Sequence, residues 1–429
     1  MSVPFVLPRN ADPKTTEYKN LMSELEGPHS VKKGFFPFLN AKSMMALKAT
    51  SAFLRDDVKK LYKGSKEIVI KGSLQQWRSA NPNAIYANIS GRTDLTDADF
   101  EYLRGIKWLN MSGCSQAGIT DGAFAHLKGI HTLHMSDCTQ VGITDGAFVH
   151  LKGIHTLNMG GCTQAGITDG AFVHLKDIHT LNISFCRQVT DGAFVHLKGI
   201  HTLVMEGCRQ AGITDGAFVH LKGIHTLNMS YCSQAGITNG AFVHLKGIHT
   251  LNMLYCRQVG ITDGAFVHLK GIHTLNMYHC NQVGITNAAF VHLKGIHTLD
   301  MGFCNQAGIT DGAFVHLKGI HTLYMAFCNQ AGITDGAFVH LKGIHNLYMR
   351  WCEQAGITGQ TLYQLGDNLK YLAIYSCNPQ TIDNANQVYG VTERDEVVKF
   401  YHPPAINGGR RHHKTRKAKG RRKTTRRKV

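Results

Sequence analysis

No apolar run in this sequence reaches the roughly 18–20 residues that a membrane-spanning helix needs, so a membrane partner is not expected. Met1–Asn10 lacks the basic stretch and apolar core of a secretory signal, which points to a soluble, intracellular protein of the cytoplasm or nucleus. No CxxC pair is present to suggest a zinc or thiol-redox site. No activated nucleophile, carboxylate pair or phosphate loop stands out either. The expectation is therefore a protein that is not an enzyme, with no cofactor, no metal and no small-molecule substrate.

Acidic residues are missing from residue 410 onwards, where Arg410, Arg411, Lys414, Arg416, Lys417, Lys419, Arg421, Arg422, Lys423, Arg426, Arg427 and Lys428 follow one another closely. Removing these twelve from the net charge of +17 leaves only +5 on the other 409 residues. The basicity thus belongs to a tail. With nothing apolar to bury, the tail is expected to be disordered. Its charge suits non-specific contact with nucleic acid or another anionic partner, a nuclear-localisation signal, or simple solubility. Without aromatics it is unsuited to base stacking.

What the sequence has in quantity is repetition. At 429 residues, 43% hydrophobic, it exceeds one compact domain, and its 45 glycines follow no three-residue period, so they mark recurring turns. The twelve cysteines also recur: Cys114, Cys138, Cys162 and Cys186, then Cys208 to Cys352 in steps of 24, then Cys377. One cysteine per unit, always after the same apolar pair, reads as a column of buried, inert thiols rather than a disulfide framework.

The unit is clearest at Gly142–Gln164, GITDGAFVHLKGIHTLNMGGCTQ, and recurs about eleven times between Ala98 and Gln354. One copy is two residues shorter, Val189-Thr190 lacking the usual Gly-Ile. Alternation over Thr156–Gly160 predicts a short strand with Leu157 and Met159 inward and Thr156, Asn158 and Gly160 outward. Thr144-Asp145 supplies an N-cap for a short helix over Gly146–Lys152 whose Ala147, Phe148 and Leu151 face inward. Gly153 ends that helix in a left-handed conformation, and Asp177 replaces the glycine at one copy with mild strain. A single unit cannot bury both faces. Stacked copies can, as an α/β solenoid with a parallel concave sheet and short convex helices, roughly 55–60 Å long.

The copies do not vary evenly. The convex FVHLK segment appears nine times unchanged, from Phe148 to Lys342. Variation falls on outward strand positions and on the residue before each cysteine. It drifts along the stack toward aromatic residues and arginine, the residue types of protein-interface hot spots. Phe185, Glu206, Tyr231, Tyr255, Tyr278, His279, Phe303, Tyr324, Phe327, Tyr348, Arg350 and Trp351 are the candidate partner-binding residues of the concave face. Free drift at exposed sites is the competing explanation, but it would also have altered the convex His and Lys. Each unit also repeats a pair such as His150 and His155. With no carboxylate or thiol partner in sequence, these read as solvated columns whose joint protonation makes the fold acid-sensitive.

Before the array, Gly34–Leu61 reads as an apolar entry and two helices, one with Met44 and Leu47 on a face, the next with Phe53, Leu54, Val58 and Leu61. The pattern LxxIxxLxMxxCxxxxITDxAF, in register from about Ala84 to Cys377, resembles the cysteine-containing class of leucine-rich repeats, common in F-box/leucine-rich-repeat proteins. Phe38-Leu39 and the helices after it are similar to the later part of an F-box. Gly27-Pro28-His29-Ser30 stands where that family opens with Leu-Pro-x-Glu. The near-identical copies and basic tail further resemble such proteins of large DNA viruses.

The resemblance implies an adaptor of a Skp1-cullin-F-box ubiquitin ligase. Phe38, Leu39, Met44, Leu47, Phe53 and Leu54 would dock a Skp1-type adaptor while the repeats hold a target. A helical cap on the first repeat is the alternative for that segment. The expected organisation is an extension over 1–33, the F-box-like segment over 34–65, then a linker strand (Ile68-Val69-Ile70) and capping repeat over 66–97. Repeats over 98–377, a cap or linker over 378–408 and the basic tail over 409–429 follow.

Overall fold

A computed structural model describes residues 62–389 and the backbone of Val398–Lys399. The F-box-like residues Phe38, Leu39, Met44, Leu47, Phe53 and Leu54 and the basic tail lie outside the described residues.

Thirteen parallel strands of three residues each, from β1 (Tyr86–Asn88) to β13 (Tyr371–Ala373), form one sheet in strict chain order. A short antiparallel strand, β14 (Val398–Lys399), pairs with β13 at the end. Because the period is 24 residues, equivalent positions pair, as in Leu157 with Leu181 and Leu299 with Leu323. The shortened copy keeps this register, with Leu181 opposite Leu203.

Between strands, each unit turns through a brief helix. In the copy read above it is α-helical over Asp145–Phe148 and 3-10 over Val149–Leu151, one residue earlier at each end than the sequence suggested. Thr144 Oγ1 accepts from Gly146 N, satisfying an orphan helix donor. Gly153 then takes φ +80°, and Asp177 is forced to φ +68° in its place. Ala147, Phe148 and Leu151 are buried, and eleven phenylalanines from Phe100 to Phe338 form a fully buried column. Fully burying such a side chain is worth about 1.5–3 kcal/mol relative to exposure.

Polar ladders tie one copy to the next. Asp145 Oδ1 accepts from Thr168 N at 2.7 Å, and its Oδ2 accepts from Thr168 Oγ1 at 2.6 Å. All twelve cysteines are free and buried. Each Sγ donates to a main-chain carbonyl of an earlier copy, as Cys162 does to Met135 O. Burial pushes the Cys162 and Cys256 thiols up to about 12. Thiolate chemistry is suppressed there.

Two expectations need correction. The strand over Ile68–Ile70 is not formed. Ser65 Oγ accepts from Glu67 N and Ile68 N, bending that stretch into a turn, and only Ile70 N reaches the sheet, at Asn88 O. In the shortened copy, Val189 is buried in the position of the isoleucine column, so the missing pair is the preceding Ala-Gly. Gly160 faces outward as read, and is buried there beneath the Asn158 and Asn182 side chains. At the far end, a helix over Pro379–Tyr389 closes the stack, with Thr381 Oγ1 donating to Ile357 O and Tyr389 Oη to Leu362 O.

Candidate protein-binding face

The residue before each cysteine sits in the turn where a strand ends, and every one has positive φ. Gly113, Gly161 and Gly207 adopt it freely, whereas Phe185, Tyr231, Tyr255, His279, Phe303, Phe327 and Trp351 are held at φ 56–60°. For bulky residues this is a rare and costly backbone state. Six of these rings form one ladder along the edge of the sheet. Centroids lie 4.9 Å apart for Tyr231–Tyr255, 4.4 Å for Tyr255–His279 and 5.3 Å for His279–Phe303. The ladder continues at 4.1 Å for Phe303–Phe327 and 4.8 Å for Phe327–Trp351.

Over the strands themselves, Tyr324 and Tyr348 stack at 4.4 Å, and Tyr324 is 37% exposed. Tyr278 meets Phe303 edge-on at 5.2 Å. Arg350 is half-buried beside Trp351 in sequence. The structure thus brings ten candidates into one half of the array. Phe185 and half-buried Glu206 lie apart from them, because Gly207 interrupts the ladder.

The asparagines of the same face have a local role that the sequence reading did not see. Asn158, Asn182 and Asn228 each accept from the main-chain N–H two residues on. Val204, Tyr324 and Tyr348 give up that turn-forming bond. Asp300 keeps it, accepting from Gly302 N, while burial raises the pKa of its carboxyl. Burial also raises Tyr278 and Tyr324 above the usual phenol value, and lowers His279, with the Arg257 charge adding to the effect.

Several residues were not singled out in the sequence. Arg257 lies over the Tyr255 ring, 4.9 Å from its centroid, and touches His279. Tyr375 extends the ladder, edge-on to Trp351 at 4.9 Å. At the other end, Lys66 reaches over both Tyr86 and Trp108, and Trp108 packs on His134 at 5.3 Å. Arg257 was legible as one of three arginines at a position that is otherwise mostly serine, threonine or asparagine. Tyr375 falls in the last copy, which departs from the repeat pattern, and Trp108 replaces the threonine that opens the strand in most copies.

On the opposite edge of the sheet, ten imidazoles from His131 to His345 form a continuous stack with centroids 4.1–4.7 Å apart. Each contacts the hydroxyl of the following threonine where one is present, as His155 Nδ1 does Thr156 Oγ1 at 3.2 Å. Among the described residues no group of three or more His, Cys, Asp or Glu is placed to hold a metal ion, and no helix is long and apolar enough to cross a membrane.

No family model matches the sequence, and no curated protein does. Solved structures do. An internalin of Listeria monocytogenes matches with TM-score 0.51 at 16% identity, over 79% of this chain and 90% of its own. The mouse RP105/MD-1 complex matches with TM-score 0.53 at 16% identity, over 71% and 53%. The Drosophila Toll–Spatzle complex matches with TM-score 0.50 at 13% identity, over 67% and 42%. This chain therefore spans only about half the length of the Toll and RP105 chains. Identities this low speak for architecture alone. With thirteen parallel strands in chain order and one short helix per turn, the chain folds as a leucine-rich-repeat solenoid.

Proposed function

We propose that the solenoid is a protein-interaction scaffold that grips a target along the aromatic edge of its concave face. The observation that carries this reading is the backbone of the ladder. Glycine fills the same position in three copies without strain, yet seven copies hold an aromatic ring or imidazole there at φ 56–60°. A left-handed conformation costs an L residue roughly 1–2 kcal/mol, so folding alone favours glycine. Binding is what such rings supply, since aromatic side chains dominate interface energetics. The Toll and RP105 structures are themselves complexes with a second protein, Spatzle and MD-1.

The finer reading is a substrate-recognition adaptor of a Skp1-cullin-F-box ubiquitin ligase. Phe38, Leu39, Met44, Leu47, Phe53 and Leu54 dock a Skp1-type adaptor in this reading, and ubiquitin transfer takes place in partner subunits. Its support is the order of the chain, with a Phe-Leu pair and apolar helix patterns preceding the repeats. Calorimetry of the full chain with a Skp1-type adaptor tests it. Saturable binding that disappears in Phe38→Ala and Leu39→Ala is expected. No binding by a folded protein leaves a scaffold without a ligase link.

A second reading rests on the twelve basic residues from Arg410 to Lys428, which suit a nucleic-acid-associated protein. The two separate on deletion. Ubiquitylation of a target is lost without Phe35–Leu61 and kept without the tail if the adaptor reading holds.

A further inference from the structure

Between the two end copies, one copy of the array is two residues short, and a cleft opens beside it. It has a volume of about 430 Å³ and is lined by Phe185, Arg187, Gly207, Arg209 and Gln210. That size falls within the range of small-ligand sites, about 300–1,000 Å³. Its chemistry is unlike the rest of the edge. The position after the cysteine is Ser115, Thr139, Thr163, Ser233, Asn281, Asn305, Asn329, Glu353 and Asn378 in other copies, but arginine at 187, 209 and 257. Arg187 and Arg209 belong to adjacent copies and face one cleft.

Neither guanidinium pairs with an acid among the described residues. Among the described residues Arg187 makes no ion pair or side-chain hydrogen bond. Arg209 donates its Nε to Tyr231 O at 3.1 Å and lies over the Tyr231 ring, 5.9 Å from its centroid, while its terminal nitrogens make no hydrogen bond among the described residues. Glu206, the nearest acid in sequence, pairs with neither. Phe185 completes the site. It is 50% exposed at φ +59°, and no ring stacks on it among the described residues, unlike the rings of the ladder. Its ring lies across Gly207, where an added Cβ would fall 2.4 Å from the ring edge. Gly207 is thus what lets the ring lie there, with its outer face free.

We propose that this cleft is an oxyanion site for a phosphate monoester on an aromatic stem, the phosphorylated tyrosine of a protein bound along the concave face. Two guanidinium groups on adjacent copies offer N–H donors and positive charge to the oxygens of a dianion, which a singly charged carboxylate cannot match in charge or oxygen count. Phe185 offers its ring to the stem. The source of the phosphate rests on the protein-binding reading above, whereas the chemistry of the cleft does not.

Calorimetry of the full chain with phenyl phosphate tests the chemistry. One equivalent is expected to bind, with affinity falling at least about tenfold in Arg187→Ala and in Arg209→Ala, and unchanged in Arg257→Ala. Lysine at 187 or 209 keeps the charge without the fork, gives an intermediate loss, and serves if an alanine variant melts early. Benzoate and inorganic phosphate are expected to bind at least about tenfold more weakly, for want of a dianion and of a stem respectively. Equal affinity in all three arginine variants, or inorganic phosphate binding as well as phenyl phosphate, overturns the site. A phosphotyrosine peptide should bind more tightly than phenyl phosphate, and a peptide that binds no better removes the protein as its source. If the cleft behaves as stated while Tyr324→Ala, Tyr348→Ala, Arg350→Ala and Trp351→Ala together leave target capture intact, the scaffold reading fails and the cleft stands.

Discussion

Phe327 and Trp351 stack at 4.8 Å with their planes only 7° apart, although both residues occupy the left-handed region of backbone space. The stack offsets the strain, which sets an expectation for Phe327→Gly. Losing its two aromatic pairs, with Phe303 and with Trp351, costs about 1–3 kcal/mol. Relief of the left-handed backbone returns roughly 1–2 kcal/mol. Urea unfolding should therefore shift by less than about 2 kcal/mol, while target affinity falls by at least about tenfold. A variant that unfolds early and binds normally would make the ladder a stabilising element and nothing more.

Asp215 and Asn239 hold the next copy in the same place by opposite chemistry. Asp215 accepts from Thr238 N and from Thr238 Oγ1 at 2.7 and 2.6 Å. Asn239 accepts from Thr262 N at 2.9 Å and donates its Nδ2 to Thr262 Oγ1 at 2.7 Å. The threonine hydroxyl simply reverses its role. Asp215→Asn should therefore change unfolding free energy by less than about 0.5 kcal/mol, whereas Asp215→Ala should cost about 1–3 kcal/mol. Equal effects of the two in urea titrations would mean that the ladder contributes through charge rather than hydrogen bonding.

The solenoid was legible because its determinants recur in register. Leu157, Met159, Phe148, Cys162 and Gly153 each belong to a column, so one reading served every copy. What escaped notice was set by neighbours in space. The column from His131 to His345 was read from the repeat, but nothing in the sequence of one copy says that Asn158 is committed to Gly160 N. The residues before the cysteines were singled out for their variability, but their positive φ was invisible without coordinates. Phe185 was singled out in the sequence but Arg187 and Arg209 were not, and the cleft the three share depends on how two copies meet.

Asp300 occupies the position at which Asn158, Asn182 and Asn228 form a turn bond, and burial raises its carboxyl pKa above the ordinary value. Near neutral pH it is therefore an ionised group that folding disfavours. Asp300→Asn keeps the acceptor for Gly302 N and removes the charge, so melting temperature should rise at pH 7. The gain should shrink as pH falls through the raised folded value and vanish below the unfolded value of about 3.9, where the carboxyl is neutral in both states. A lower melting temperature at pH 7 would place Asp300 in a favourable contact, with Tyr278 and Tyr324 as its nearest candidates.

The histidine stack makes the same linkage run with the opposite group. Desolvation lowers the pKa of His201, and the neighbouring His179 and His225 lower it further; His249 and His321 are shifted down by the same causes. A histidine whose folded value lies below its unfolded value of about 6.5 favours folding in its neutral form. That contribution is complete above the unfolded value and is lost as pH falls through it toward the folded one. Melting temperature should thus drop between pH 7.5 and 5.5. Replacing His201, His225 and His249 by glutamine, which keeps a partner for the threonine hydroxyl, should flatten the drop. The effect should resist added salt only in part, since these rings lie at the surface. A melting temperature that holds steady across this range, or an equal drop in the glutamine variant, would mean that the imidazoles stack without cost when charged, and that acid acts elsewhere in the fold.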